Sequence, residues 1–158
     1  MQIDHQAVTQ HKQLDNCSCI PMSVELVLKL LGRVPADYYA LQQQWANRTD
    51  GSFAAFDGRT LSGVRFKARF TLARDEQFPL DDLFRTIEAE LNAGRFVIVS
   101  LQVPGGWHMF VIYAQLPSQE FRALSKFPGR TEVIGCDRVR ALIREMKGTD
   151  ILTYEIVA

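Results

Sequence analysis

Two cysteines one residue apart, Cys17 and Cys19, stand where the polar run HKQLDN gives way to the apolar run IPMSVELVLKLLG. A thiol becomes a nucleophile as its thiolate, and a helix N-terminus favours that anion through its unpaired N–H groups and macrodipole. Pro21 suits the first turn of a helix and Gly32 its C-terminal cap, so the spacing predicts a helix that begins at Cys19 or Ile20. Position therefore favours Cys19 over Cys17, which falls in the approaching loop. A cysteine with no other clue is more often a small core hydrophobe, so the assignment depends on what else the chain offers. Gln13, upstream of Cys19, carries an amide able to donate to the oxyanion of an acyl-transfer intermediate.

A cysteine nucleophile also needs a base, and the chain holds three histidines, His5, His11 and His108. His5 and His11 fall in an N-terminal tail or loop. His108 opens an apolar run directly after PGGW, which brings its ring out at a sheet edge while the residues from Met109 to Ala114 are buried. The plainer role for it is a strand-end histidine bonded to a carbonyl. Asp137, ending the run EVIGC, is the candidate to orient the imidazole. It serves equally well as N-cap of the helical pattern from Val139 onward. Cys17, Cys19, Cys136 and His108 make a Cys3His set on paper. A Cys-x-Cys whose second member starts a helix is not the spacing of a zinc knuckle, so neither a metal nor a cofactor is expected.

These residues must be positioned by the surrounding elements. Val24, Val27, Leu28 and Leu31 recur at helical spacing, and Leu26 and Leu30 widen the stripe until the helix is buried on most sides. A second helix is expected after Pro35, through Tyr38, Tyr39, Leu41 and Trp45, before a glycine-bearing segment from Asp50 to Gly63. Pro79, Asp81 and Asp82 announce a third, with Leu80, Leu83, Phe84, Ile87 and Leu91 along one face and Gly94 at its end. RFVIVSLQV and WHMFVIYAQ then read as two largely buried strands joined through Pro104, Gly105 and Gly106. After a loop from Leu116 to Arg130 come the strand TEVIGC, a fourth helix marked by Val139, Leu142, Ile143 and Met146 and closed by Gly148, and a last strand ILTYEIV. Helices early and strands late indicate an α+β fold with a mainly antiparallel sheet.

At 158 residues the chain suits one domain, 1–158, and 47% hydrophobic against 23% charged residues is enough to bury a core without disulfides or metal. Eighteen Lys plus Arg balance 18 Asp plus Glu, which leaves no basic excess for nucleic acid. The N-terminus lacks the apolar core of a signal peptide, and no apolar run reaches a bilayer span, so no membrane partner is expected. Three cysteines without a signal fit a cytoplasmic setting or export by a non-classical route into a target cell.

The order Gln13, Cys19, His108, Asp137, on a helix followed by a sheet, resembles the papain-like cysteine peptidases. Within them it is most similar to the bacteriocin-processing, double-glycine peptidases and their stand-alone relatives. That group shows a Gln, five residues, then Cys-Gly-Pro-Ala opening a helix that ends in Gly; the matching run here is QLDNCSCIPMSVELVLKLLG. The resemblance implies a papain-like fold, with a buried nucleophile helix packed on the sheet. It assigns Gln13 to the oxyanion hole, Cys19 as nucleophile, His108 as base and Asp137 as the acid. Ile20 stands where the family has glycine, and Asp137 has no proline after it. The implied activity is cleavage of proteins or peptides after small residues such as Gly-Gly, with Trp107 and Ile20 as candidate walls of a narrow pocket. A stand-alone domain of this kind is expected to act as a bacterial toxin or effector opposed by an inhibitory (immunity) protein. Two other readings use the same residues: transglutaminase-like or deamidase chemistry on glutamine side chains, and a binding module that keeps the fold without turnover.

Overall fold

The structure, a computed structural model, describes residues 3–45, 53–103 and 106–158. Along the chain run α1 (His5–Gln10), α2 (Cys19–Leu30), α3 (Ala40–Gln43), β1 (Thr60–Leu61), β2 (Val64–Arg69), α4 (Leu80–Asn92), β3 (Val97–Val103), β4 (Gly106–Gln115), β5 (Phe121–Lys126), β6 (Val133–Cys136), α5 (Val139–Leu142) and β7 (Gly148–Ile156). The strands form one seven-stranded sheet in the order β1-β2-β7-β3-β4-β5-β6, with every neighbouring pair antiparallel. The α+β class and the antiparallel sheet expected from the sequence are what the chain adopts. No described helix is long and apolar enough to cross a membrane.

Two hydrophobic cores lie on opposite faces of the sheet. On one, Val24, Val27 and Leu28 of α2 pack with Phe66, Ile98, Met109, Val111, Leu124 and Leu152. On the other, Leu83, Phe84 and Ile87 of α4 pack with Val97, Val99, Phe110, Ile112, Phe121 and Ile151. Neighbouring residues of one strand, such as Val111 and Ile112, therefore enter different cores, because successive side chains point to opposite faces. Antiparallel strands more often face water on one side and alternate. Here both faces are covered, which is why β3 and β4 are apolar almost throughout.

Helix α2 ends as its sequence implied. Gly32 takes a φ of +68°. Its N–H reaches Lys29 O at 3.0 Å and that of Arg33 reaches Leu28 O at 2.9 Å, closing the helix in a left-handed turn. The third expected helix is found as α4, closed in the same manner at Gly94, whose φ is +79°. The expected helix through Tyr38 and Trp45 shrinks to α3. Its start is fixed from outside, because the buried carboxylate of Glu25 accepts the N–H groups of Leu41 at 3.0 Å and Gln42 at 3.1 Å. Three strands were not anticipated: the two-residue β1, β2, and β5 inside the supposed loop from Leu116 to Arg130. In β2 the charged Arg65, Lys67 and Arg69 alternate with the apolar residues and mask them, and in β5 the exposed Arg122 and the buried Lys126 give the run a polar look. The last helix is only α5 and a π turn over Ile143–Lys147, with Gly148 already opening β7. Pro104, Gly105, the Asp50 end of the glycine-bearing segment and the Met146 side chain lie outside the described residues.

Candidate functional site

Cys19 is the first residue of α2, and Ser18 before it is the N-cap. The Ser18 hydroxyl does not cap the helix. It lies 3.0 Å from Asp15 O and 2.8 Å from Gln42 Oε1, bracing the loop that leads into the helix. Half-buried, the Cys19 thiol faces the backbone N–H groups of Cys19, Ile20 and Met109, which favour its anion, while the Cys17 thiol disfavours it. Burial is the largest influence and raises the Cys19 pKa above the ordinary thiol value. This corrects the expectation of a thiolate prepared by the helix terminus: the N–H groups are present, but loss of solvation outweighs them. Cys19 rests as a thiol.

The N–H that Met109 turns toward Cys19 belongs to the residue after His108, so α2 delivers its first residue to the strand segment that carries the histidine. His108 lies edge-on to Phe110, with centroids 5.3 Å apart at 78°. Its Nε2 is 2.8 Å from Ser125 Oγ on β5, and Ser125 is fully buried. Burial lowers the His108 pKa, against a smaller opposing influence from the Lys126 backbone, so the ring rests neutral. The ring thus meets both the Ser125 hydroxyl and the Lys126 backbone, and among the described residues no hydrogen bond joins it to the Cys19 thiol.

Gln13 joins the same end of the sheet. Its backbone forms a bridge with Pro128, and its carbonyl accepts the Gly129 N–H at 2.5 Å. The side chain is buried at 1% exposure, with Nε2 donating to Asp15 O at 2.8 Å. Gln13 Oε1 is buried without a hydrogen-bond partner. An amide has two N–H donors, and the bond to Asp15 O uses one of them.

Asp137 is not brought to His108. Its Oδ1 accepts from Arg122 Nε at 2.9 Å in a pair whose carboxylate side chain is 59% exposed. The β5/β6 register pairs Ala123 with Cys136 and Lys126 with Val133, which sets Asp137 at the Arg122 end of β5. Ser125 lies three residues farther along, roughly 10 Å at a strand rise of ~3.4 Å per residue. Nor does Asp137 cap α5: Glu120 does, accepting the Arg140 N–H at 2.9 Å and the Ala141 N–H at 3.2 Å.

Of the two candidate pocket walls, Ile20 is 3% exposed and packs in the α2 core, so it lines no cleft. Trp107 is 45% exposed. Leu14, next to Gln13, and Phe127, next to Pro128, are 44% and 40% exposed, which gives the region an apolar rim. Cys136 packs against the α4-side core and Cys19 against the α2-side core, so the Cys3His set is not assembled. Among the described residues no group of three His, Cys, Asp or Glu is placed to hold a metal ion. His5 is exposed on α1, whereas His11 is 1% exposed and unsuited to proton exchange with a substrate.

His11 instead belongs to a buried polar network that fixes the loop carrying Gln13. Its Nε2–H donates to Met22 O at 2.9 Å, and Nδ1 accepts from Lys29 Nζ at 2.8 Å, which defines the neutral tautomer. Burial, the nearby Lys29 ammonium and, less strongly, Lys126 hold its pKa down at about 3. Gln42 is the hub. Its Nε2 donates to Glu25 Oε1 at 2.7 Å and Lys12 O at 2.8 Å, and its Oε1 accepts from Leu14 N at 2.7 Å and from the Ser18 hydroxyl. One side chain thus ties α2, α3 and both ends of the Lys12–Ser18 loop together. Sequence reasoning missed Gln42 and Ser125. The signal for the network was visible in Glu25 and Lys29, two charges four residues apart on a helix otherwise apolar on most sides. No protein-family model, no curated protein and no solved structure matches the chain.

Proposed function

We propose that this protein is a cysteine peptidase of papain-like fold that cleaves proteins or peptides. The observation that carries the reading is the delivery of Cys19, at the start of α2, to the backbone of Met109, with His108 next in the chain and Gln13 in the adjoining loop. In this mechanism His108 takes the Cys19 proton as the sulfur attacks the scissile carbonyl carbon, and the C=O π pair moves onto oxygen. The Cys19 N–H and the second Gln13 N–H hold that oxyanion. The C–N bond breaks as His108 returns its proton to the leaving amine, and water then hydrolyses the thioester. Both groups rest neutral, so proton transfer belongs to the reaction step, and in this reading the thiol–imidazole hydrogen bond forms when substrate is bound.

Small residues before the scissile bond, Gly-Gly foremost, remain the proposed substrate preference, with Trp107 as the remaining wall and Leu14 and Phe127 offering apolar contacts beyond it. An effector role, with an inhibitory partner protein, belongs to the same proposal. Digestion of a mixed peptide library with the wild type and with Cys19→Ala, read by mass spectrometry, tests the activity. New peptide termini that depend on Cys19 support it. Intact peptides about one dalton heavier would assign the chain to glutamine deamidation instead. No Cys19-dependent change would leave a binding module.

A further inference from the structure

We propose that Ser125 is the positioning residue of His108, filling the place that a carboxylate or carboxamide takes in a cysteine–histidine–acid triad. The inference rests on the proposed peptidase reading, since a ring that serves no reaction needs no orienting partner.

The geometry that carries it is the 2.8 Å contact between Ser125 Oγ and His108 Nε2, made on β5 beside the strand that bears the histidine. Ser125 is fully buried, so the hydroxyl is not held there by water. An imidazole bonded at Nε2 has Nδ1 as its second nitrogen, with the Lys126 backbone also near the ring. When the Nε2–H donates to the serine oxygen, Nδ1 carries the lone pair able to take the Cys19 proton. Ser125 and Phe110 together fix the ring plane, one by hydrogen bond and the other by its edge-on contact. The groups around the pair complete the argument. Lys126 follows Ser125, but its ammonium is directed to the carbonyls of Val8, Thr9 and Thr131. Cys17 is the titratable neighbour of Cys19. Among the described residues no carboxylate is hydrogen-bonded or ion-paired to His108.

A hydroxyl orients the ring without stabilising its cation, whereas a carboxylate does both. The consequence is a cysteine–histidine pair that stays neutral until substrate binds, in contrast to a pre-formed thiolate–imidazolium pair.

The test compares the wild type with Ser125→Ala, Ser125→Thr, Ser125→Asn, Ser125→Asp and His108→Ala. Two quantities are read for each: the pH profile of Cys19 alkylation by iodoacetamide, and the nitrogen chemical shifts of the His108 ring, which report its tautomer. Ser125→Ala is expected to slow alkylation about tenfold and to mix the two tautomers, while Ser125→Thr keeps both readouts. Ser125→Asp is expected to shift the alkylation profile about one pH unit toward acid, as an adjacent carboxylate raises the imidazole pKa. If the buried carboxylate prevents folding, Ser125→Asn replaces it and is expected to hold the wild-type tautomer. If alkylation responds to His108→Ala but neither readout responds to Ser125→Ala, the positioning role is overturned and the peptidase reading stands. If alkylation ignores His108→Ala as well, both are overturned.

Discussion

Gln42→Ala is the substitution that most sharply tests how the Lys12–Ser18 loop is held. The side chain is 3% exposed and makes four hydrogen bonds, to Glu25, Lys12, Leu14 and Ser18. Removing it deprives a buried carboxylate of a donor and leaves a backbone N–H and a backbone carbonyl unpaired, while the Ser18 hydroxyl keeps only its contacts with Asp15. A hydrogen bond contributes about 1 kcal/mol net, and a buried group left unsatisfied costs about 1–3 kcal/mol. Water entering the vacated space will meet part of the demand, so the expected loss is about 3–4 kcal/mol. For a chain of this size each kcal/mol moves Tm by about 2–4 °C, which puts the expected fall at roughly 6–16 °C. Urea denaturation followed by circular dichroism gives the free energy, and Cys19 alkylation in the native baseline reports the loop. Gln42→Glu is the shape-preserving control. It sets a second carboxyl against Glu25 Oε1, and the shared site holds a proton more tightly when folded than unfolded, so this variant gains stability as pH falls. A Gln42→Ala variant within 0.5 kcal/mol of wild type, on the order of an ordinary surface substitution, would show that the network does not hold the loop.

Two other expectations follow from buried or strained positions. The His11 pKa is lowered from 6.5 to about 3, chiefly by burial, so below pH 6.5 the unfolded chain takes up a proton that the folded ring refuses. Stability should therefore fall by roughly 1 kcal/mol per pH unit as pH drops from 6.5 toward 5, and His11→Gln should lose that slope; equal slopes in the two proteins would refute it. At the β1–β2 turn, Gly63 has a φ of +78°, and a Cβ there would stand 2.9 Å from Arg33 Nη1 and 3.0 Å from Ala158 O. Gly63→Ala should cost about 1–2 kcal/mol from the left-handed backbone alone, measured as a lower Tm, and an unchanged Tm would contradict it.

The parts legible in the sequence are those whose signal is local. Pro21 and Gly32 frame α2, Pro79 and Gly94 frame α4, and the β-rich runs on either side of Pro104 are the central hairpin. The less legible parts depend on partners distant in sequence. α3 begins where Glu25 caps it, sixteen residues away. β5 was hidden because Lys126, which reads as solvated, is wholly buried with its ammonium on three backbone carbonyls. The site divides the same way. Cys19 as helix opener, Gln13 upstream of it and His108 at the head of a strand could be read from spacing. Asp137 was chosen for ending a strand, but strand register sets it against Arg122, and register is a tertiary property. Ser125 carried no sequence signal, because a serine in a strand is seldom more than a satisfied hydroxyl.

Site-resolved alkylation tests the central claim most directly: iodoacetamide labelling of Cys17, Cys19 and Cys136 across a pH series, assigned by mass spectrometry, in the wild type and in His108→Ala. The account predicts that Cys19 reacts faster than its half-buried setting would allow for an unassisted thiol, that its rate climbs through the neutral range, and that the advantage disappears with His108. A Cys19 that labels no faster than Cys17 or Cys136, or at a rate unchanged by loss of His108, would contradict it.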